Sequence, residues 1–261
     1  MYKIGIIGGG NMGEAIIASS IKRFFIHISE SDPKRREYLR QSYKLIPYDI
    51  PRLAQISDII VLAVKPQDIV DVLKELAQVI RKETLVISIA AGITSSLIEK
   101  ILGKKLRVIR TMPNMPALIG EGITAVCAGK YAQSTDVELA CRILSSLGKT
   151  VVVEEELIDA VTAVSGSGPA YVFLFMECMI KAARSLGLKE ELAANLVKQT
   201  FSGSVNLLMK KNIEPGVLRS KVTSKGGTTQ AALKVFDKSK IDKIIEKALL
   251  AAKKRAKALS R

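Results

Sequence analysis

The sequence predicts an α/β protein whose first part is a doubly wound sheet covered by helices and whose second part is all helix. Three observations carry this. From Met1 to about Glu155, short β-branched runs alternate with helical patterns, the order expected of a mostly parallel sheet with helices on both faces. After Glu155 the strand signals stop and long apolar-periodic stretches take over. Hydrophobic residues make up 48% of the 261, which supplies two cores of ordinary size, so the expected parts are 1–155 and 156–261.

The first strand, Lys3 to Ile7, leads straight into Gly8-Gly9-Gly10-Asn11-Met12-Gly13 and a helical pattern from Glu14 to Arg23. In a strand–turn–helix of this kind Gly8 permits the tight turn, Gly10 lets the backbone approach a pyrophosphate and Gly13 allows close helix–strand packing. An anion would sit on the helix N-terminus. Three adjacent glycines could also be only a flexible turn, but the flanking strand and helix favour a dinucleotide-binding Rossmann domain. A second strand, Ile26 to Ser29, ends at Glu30, which lies 20 residues past Gly10, where an acid can bond the adenine ribose hydroxyls and favour NAD. Lys34, Arg35 and Arg36 open the next helix, Pro33 to Ser42, and could instead hold a 2′-phosphate, so NAD and NADP both stay open.

The remaining strands of the first part are expected at Ile59 to Val64, Leu85 to Ile89, Val108 to Thr111, Ile123 to Ala128 and Thr150 to Val153. Helices are expected at Pro66 to Ile80, Ser95 to Leu102 and Ser134 to Leu147, the first with Pro66 at its opening position. Ala63-Val64-Lys65-Pro66 ends a strand at the carboxyl edge of the sheet, where open α/β folds place ligands, although a plain strand-to-helix turn reads the same. Ile89-Ala90-Ala91 follows another strand with small residues that leave room for a cofactor or for packing. Met112 and Pro113, in a loop that Pro113 and Pro116 stiffen, could wall a nicotinamide or simply connect two elements.

In the second part helices are expected at Leu157 to Ala163, Ala170 to Leu186, Glu190 to Lys210, Glu214 to Arg219, Thr229 to Phe236 and Lys240 to Leu259. Val164 to Tyr171, rich in Ser and Gly, reads as a hinge and helix cap or as a source of hydroxyls and backbone amides for a ligand. Val222-Thr223-Ser224-Lys225-Gly226-Gly227-Thr228-Thr229 is a hydroxyl-rich glycine turn ahead of a helix. Its amides form a nest suited to a carboxylate, more than a simple cap requires.

The remaining composition narrows the function. Lys and Arg number 40 against 25 Asp and Glu, a net charge of +15, and residues 156–261 carry 19 basic and 9 acidic side chains. That admits nucleic acid as a partner, but the basic residues near the end lack interleaved aromatics and suit a solvated helix end equally well. Cys127, Cys141 and Cys178 are odd in number, widely spaced and set among apolar residues, pointing to buried reduced thiols and a cytoplasmic protein. His27 is the only histidine, which disfavours metal sites and Ser-His chemistry. Uncharged apolar runs are read as stopping near ten residues, short of the roughly 20 that span a bilayer, and the opening strand leaves no place for a signal peptide.

Taken together, Gly8 to Gly13, Ala63 to Gln67, Arg110 to Pro116, Ser165 to Tyr171 and Val222 to Thr229 closely resemble the pyrroline-5-carboxylate reductases, in order and in spacing. The resemblance implies an N-terminal Rossmann domain with an all-helical C-terminal dimerisation domain that interlocks in a homodimer, with a higher oligomer of dimers also open. It implies reduction of a cyclic imine, 1-pyrroline-5-carboxylate, to proline with NADPH or NADH and without a metal. By position it assigns the dinucleotide to Ile7, Gly8, Gly9, Gly10, Asn11, Met12 and Gly13, with Ala63, Val64, Lys65, Pro66, Ile89, Ala90 and Ala91. It assigns the substrate carboxylate to Ser224, Gly226, Gly227 and Thr228, with the Thr229 hydroxyl facing the ring nitrogen as the catalytic group. The chain departs from the family pattern at Lys225, usually proline, at Ser220, usually aspartate, at Ile50, where an asparagine often reaches the ribose, and at Glu30, usually small and polar. Two other readings remain: a β-hydroxyacid dehydrogenase, whose lysine on the long helix is here Val172, and a dinucleotide-sensing nucleic-acid regulator.

Overall fold

The computed structural model describes residues 1–103 and 105–260. The chain divides into two compact units, Met1–Pro169 together with Ala251–Arg261, and Ala170–Leu250. The first unit is built on a seven-stranded sheet in the order β2-β1-β3-β4-β5-β6-β7. Its strands are β1 (Lys3–Ile7), β2 (Phe25–Ser29), β3 (Ile59–Leu62), β4 (Leu85–Ser88), β5 (Arg107–Met112), β6 (Gly122–Ala128) and β7 (Gly148–Val152).

The first five strands are parallel, with Ile4 of β1 aligned to Ile26 of β2 on one side and Ile59 of β3 on the other. Because β2 and β3 flank β1, strand order reverses beside β1, and the carboxyl ends of β1 and β3 form the switch point at which such sheets bind ligands. β6 runs antiparallel to β5, and β7 runs parallel to β6. Chain length dictates this reversal: only nine residues separate β5 from β6, too few for a crossover back to the same edge.

Alternation along the strands divides the core between two faces. Ile4, Ile6, Val61 and Ile87 pack with Ile16 and Ile17 of α1 (Asn11–Ser20) and Leu39 of α2 (Pro33–Tyr43). Ile7, Ile60, Leu62 and Val86 pack with Leu53 of α3 (Ile50–Ile56), Leu73 and Leu76 of α4 (Ile69–Val79) and Ile98 of α5 (Ser95–Leu102). Each such fully buried Ile or Leu contributes roughly 1.5–3 kcal/mol of transfer free energy.

Some elements differ from expectation. α4 begins at Ile69, not Pro66, because Lys65–Asp68 closes a turn first, with the Asp68 N–H donating to the Lys65 carbonyl at 3.0 Å. α3 is an element that periodicity does not reveal; the Asp49 carboxylate caps it by accepting from the Arg52 N–H at 2.8 Å. The helix expected at 134–147 is α6 (Ser134–Leu144), followed by a tighter 3₁₀ turn at Ser145–Leu147.

Beyond β7 the chain is helical: α7 (Ile158–Val161), a π turn at Thr162–Gly166, α8 (Gly168–Ser185), α9 (Glu190–Lys211), α10 (Pro215–Lys221), α11 (Thr228–Lys238) and α12 (Ile241–Leu259). In α9 only Ala193 and Val197 are buried, while Phe173, Leu174, Phe175 and Met179 of α8 stand exposed. The stretch Glu155–Ser185 is long and apolar enough to cross a bilayer by length and composition. This corrects the short runs expected: Ala160 to Met176 carries no charge and is interrupted only by Thr, Ser, Gly and Pro, with Glu155, Glu156, Asp159, Glu177, Lys181 and Arg184 on its flanks. The cysteines also need correction: Cys127 is buried, but Cys141 is half-buried and Cys178 lies exposed on α8.

Candidate active site

The glycine turn sits at the switch point, tied to both neighbouring strands. The Gly8 N–H donates to the Ser29 carbonyl at the end of β2 (2.9 Å), and the Ala63 N–H after β3 donates to the Ile7 carbonyl (2.8 Å). Gly8 has φ of +100°, and a Cβ there would stand 2.6 Å from the Ala63 carbonyl oxygen. A Cβ on Gly13 would strike the carbonyl oxygen of Gly8, so α1 can approach β1 this closely only without a side chain. Gly10 is different: a Cβ there would meet nothing within 4 Å. It is the N-cap of α1, no side chain caps the helix, and its first-turn N–H groups carry the positive end of the helix dipole. The residues present fit a dinucleotide pyrophosphate.

At the end of β2 the Glu30 carboxylate is held at both oxygens. Oε2 accepts from the Gly9 N–H at 2.6 Å and Oε1 from the Asp32 N–H at 2.8 Å. Arg35 is drawn away from this carboxylate, donating from Nε to the Gly9 carbonyl at 2.5 Å and pairing with Glu14 of α1. Tyr38 and Tyr43 also donate to Glu14, at 3.0 and 2.9 Å. Burial alone would raise the Glu14 pKa, but the bonds from Arg35, Tyr43 and Tyr38 outweigh it and hold the carboxyl below its ordinary range. Burial and the bond to Glu14 push the Tyr43 phenol up to about 12. Lys34 lies exposed on α2, its backbone N–H spent on Asp32 at 2.8 Å.

The other sequence-marked segments of this unit lie at the same carboxyl edge, after β3, β4 and β5. Ala63 and Val64 are half-buried, with Lys65 and Pro66 exposed beyond them. After β4, Ile89 is half-buried, Ala90 buried and Ala91 exposed. Thr111 Oγ1 of β5 donates to the Ser88 carbonyl at 3.0 Å, locking this exit. Beyond β5, Met112 is half-buried and Pro113 buried, and a Cβ on Gly166 would lie 2.7 Å from the Met112 methyl. A cavity of about 540 Å³ lined by Glu30, Arg36, Asp49, Ile50 and Glu75 opens beside the glycine turn. A larger one, about 1030 Å³, lies among Arg23, Asp58, Arg81 and Arg107 at the opposite, amino edge of the sheet. No residue of the glycine turn lines either cavity, but Glu30 of the smaller one bonds the Gly9 N–H and so ties it to the turn, which makes size a poor guide here.

Sequence reasoning missed one cluster. Arg110 of β5, 4% exposed, pairs at 3.0 Å with Glu155, which also accepts from the Ser95 N–H at 2.8 Å and from the Ser95 hydroxyl. Burial pushes the Glu155 pKa up, but the bonds from Ser95 and Arg110 prevail and keep it below the ordinary carboxylate value. The partners are 45 and 60 residues apart in sequence, and no local signal marks such a pair.

In the second unit the turn before α11 is held by one hydrogen bond within its backbone and one to a side chain of α11. Gly226 has φ of +75°, its N–H donates to Gln230 Oε1 at 2.8 Å, and the Gly227 N–H donates to the Ser224 carbonyl at 3.1 Å. Gly227 is the N-cap, no side chain caps α11, and Thr228 and Thr229 occupy its first two positions. Ser224 and Thr228 are exposed and Thr229 is half-buried. The arrangement presents helix-start amides and hydroxyls to an anion. Among the described residues no group of three or more His, Cys, Asp or Glu could hold a metal ion.

These features have counterparts in known proteins. A family model described as pyrroline-5-carboxylate reductase dimerisation matches residues 155–259, and one described as NADP oxidoreductase, coenzyme F420-dependent, matches residues 3–92. Pyrroline-5-carboxylate reductase 2 of Bacillus subtilis is 38% identical over 252 residues, covering 94% of this chain and 90% of that protein. The chain belongs to the pyrroline-5-carboxylate reductase family. Among solved members, the enzyme of Coxiella burnetii superposes with a TM-score of 0.93 at 37% identity, covering 100% of this chain and 99% of that one. The Plasmodium falciparum member, solved with NADP bound, gives a TM-score of 0.87 at 31% identity, with 100% and 98% covered. The Rossmann fold with a helical C-terminal part is thereby confirmed for the chain.

Proposed function

We infer that the chain is an oxidoreductase that transfers a hydride from NADPH or NADH to the C=N bond of 1-pyrroline-5-carboxylate, giving L-proline, the last step of proline synthesis. The observation that carries this is near-full-length identity of 37–38% to proteins of that name or fold. The dehydrogenase and nucleic-acid readings gain no support from these matches.

When bound, the reduced nicotinamide supplies the hydride, and a protonated imine is already electrophilic enough to accept it. The work left to the chain is to bind and orient, which suits a sequence whose single histidine lies in β2. We assign the pyrophosphate to the turn Gly8 to Gly13, with Ile7 beneath it. The rest of the dinucleotide falls to Ala63, Val64, Lys65, Pro66, Ile89, Ala90, Ala91, Met112 and Pro113, with Glu30 and Lys34 toward the ribose. Ser224, Gly226, Gly227 and Thr228 receive the substrate carboxylate. The Thr229 hydroxyl bonds the ring nitrogen and holds its proton in place. Function thus divides between 1–155 for the dinucleotide and 156–261 for substrate and dimerisation.

The protein acts as a homodimer, which gives the exposed apolar side chains of α8 a covering surface in preference to lipid. Whether dimers associate further is read from sedimentation. We place it in the cytoplasm, where an exposed thiol such as Cys178 stays reduced. Following 340 nm absorbance with 1-pyrroline-5-carboxylate and NADH or NADPH tests the reading, and no oxidation of either refutes it. Thr229→Ala should lower kcat roughly tenfold or more while leaving dinucleotide affinity in place. Unchanged turnover would remove Thr229 from the mechanism.

A further inference from the structure

We propose that Glu30 makes this chain select the unphosphorylated dinucleotide, NAD(H), over NADP(H); this rests on the dinucleotide reading of the glycine turn given above. An adenine ribose carrying a 2′-phosphate needs donors and positive charge where the 2′ oxygen falls. At the end of β2 those donors are already spent: the Gly9 and Asp32 N–H groups bond the two oxygens of Glu30, at 2.6 and 2.8 Å. The carboxylate occupies the anion niche that a phosphate would use. Its remaining lone pairs can accept from the 2′ hydroxyl, which an unphosphorylated ribose offers and a 2′-phosphorylated one has lost.

Charge around the niche points the same way. The adjoining cavity is lined by three carboxylates, Glu30, Asp49 and Glu75, against one guanidinium, Arg36. Of the other two cations on this helix start, Arg35 is committed to Glu14 and the Gly9 carbonyl, and Lys34 does not line the cavity. A phosphate of about −1.5 to −2 charge entering a net-negative pocket is repelled by each carboxylate, and each factor of ten in affinity requires only about 1.4 kcal/mol.

Calorimetric titration of the purified protein with NAD⁺ and with NADP⁺, without the imine, tests this by binding alone. We expect NAD⁺ to bind roughly tenfold tighter or more. Glu30→Gln, which removes the charge and keeps the shape, should narrow the ratio by strengthening NADP⁺. NADP⁺ binding as tightly as NAD⁺ to the unaltered protein overturns the proposal while leaving the reductase reading intact, and so does a ratio unmoved by Glu30→Gln in a variant that melts normally. If the variant does not fold, the ratio in the unaltered protein decides. Binding of neither dinucleotide overturns both this proposal and the reading on which it rests.

Discussion

Replacing Gly10 with alanine separates the space that belongs to a ligand from the space that belongs to the protein. The new Cβ would meet nothing within 4 Å, and Gly10 has φ of −63°, which alanine adopts freely. Alanine is a poorer N-cap than glycine, by a few tenths to about 1 kcal/mol. The lost flexibility of the unfolded chain offsets this by about 0.4–1 kcal/mol, so net stability should move by less than about 0.5 kcal/mol. For a unit of this size that is a melting shift of about 2 °C or less. The same Cβ stands where a pyrophosphate must approach the first-turn amides. Losing one or two charge-assisted hydrogen bonds at about 1.5–3 kcal/mol each weakens dinucleotide binding by tenfold at the least. Gly13→Ala is the contrast: its Cβ would strike the Gly8 carbonyl, and overpacking of this kind costs about 1–3 kcal/mol, or roughly 3–10 °C. Thermal melts with and without dinucleotide read both effects. A Gly10→Ala protein that melts normally and binds with undiminished affinity would refute the placement of the pyrophosphate on this turn.

Glu155→Gln should destabilise the first unit by about 2–4 kcal/mol, because Arg110 stays buried without its countercharge; a loss below about 1 kcal/mol in urea unfolding contradicts the role given to the pair. Burial, helped by nearby Lys3, lowers the His27 pKa from the ordinary 6.5, so protonation favours the unfolded chain. Its contribution is complete above pH 6.5 and is lost as pH falls through the lower folded value, so the melting temperature should decline below pH 6.5, and His27→Gln should flatten that decline; an unchanged slope refutes it. Burial pushes the Cys127 thiol up to about 12, so iodoacetamide at neutral pH should modify it only after unfolding, as read by peptide mass spectrometry. Rapid labelling of the native protein would show that the β6 face opens.

The elements that sequence reveals well are those with strong local signals. β1 and the glycine turn are legible because an apolar run meets glycines whose roles differ, and the structure separates those roles at Gly8, Gly10 and Gly13. β3 is legible as a continuous apolar run because both faces are covered. α3 is not: seven residues give too little periodicity, and its best signals are Asp49 as cap with Pro51 just inside the helix. Pro66 misleads for a related reason, since a proline suited to the start of a helix also suits the turn ahead of one. The reversal at β6 follows from loop length, not from any residue. Arg35 and Arg36 look equivalent in sequence, yet one is bound to Glu14 and the other lines the cavity beside Glu30. Such choices belong to tertiary contacts between α1 and α2, which no short window contains.

Gly92, in the loop after β4, has φ of +72°, and a Cβ on it would lie 2.9 Å from the carbonyl oxygen of Leu259. The final turns of α12 thus belong to the same compact unit as the sheet, although 81 residues of the other unit, Ala170–Leu250, come between them. During synthesis, at about 5–20 residues per second, the sheet emerges first and waits for that closing segment. The loop at Ala90–Gly92 therefore reaches its finished form only after residue 259 has left the ribosome. A nascent chain stalled near residue 200 would carry a sheet that protease protection shows as formed, with the peptide around Gly92 still open to cleavage.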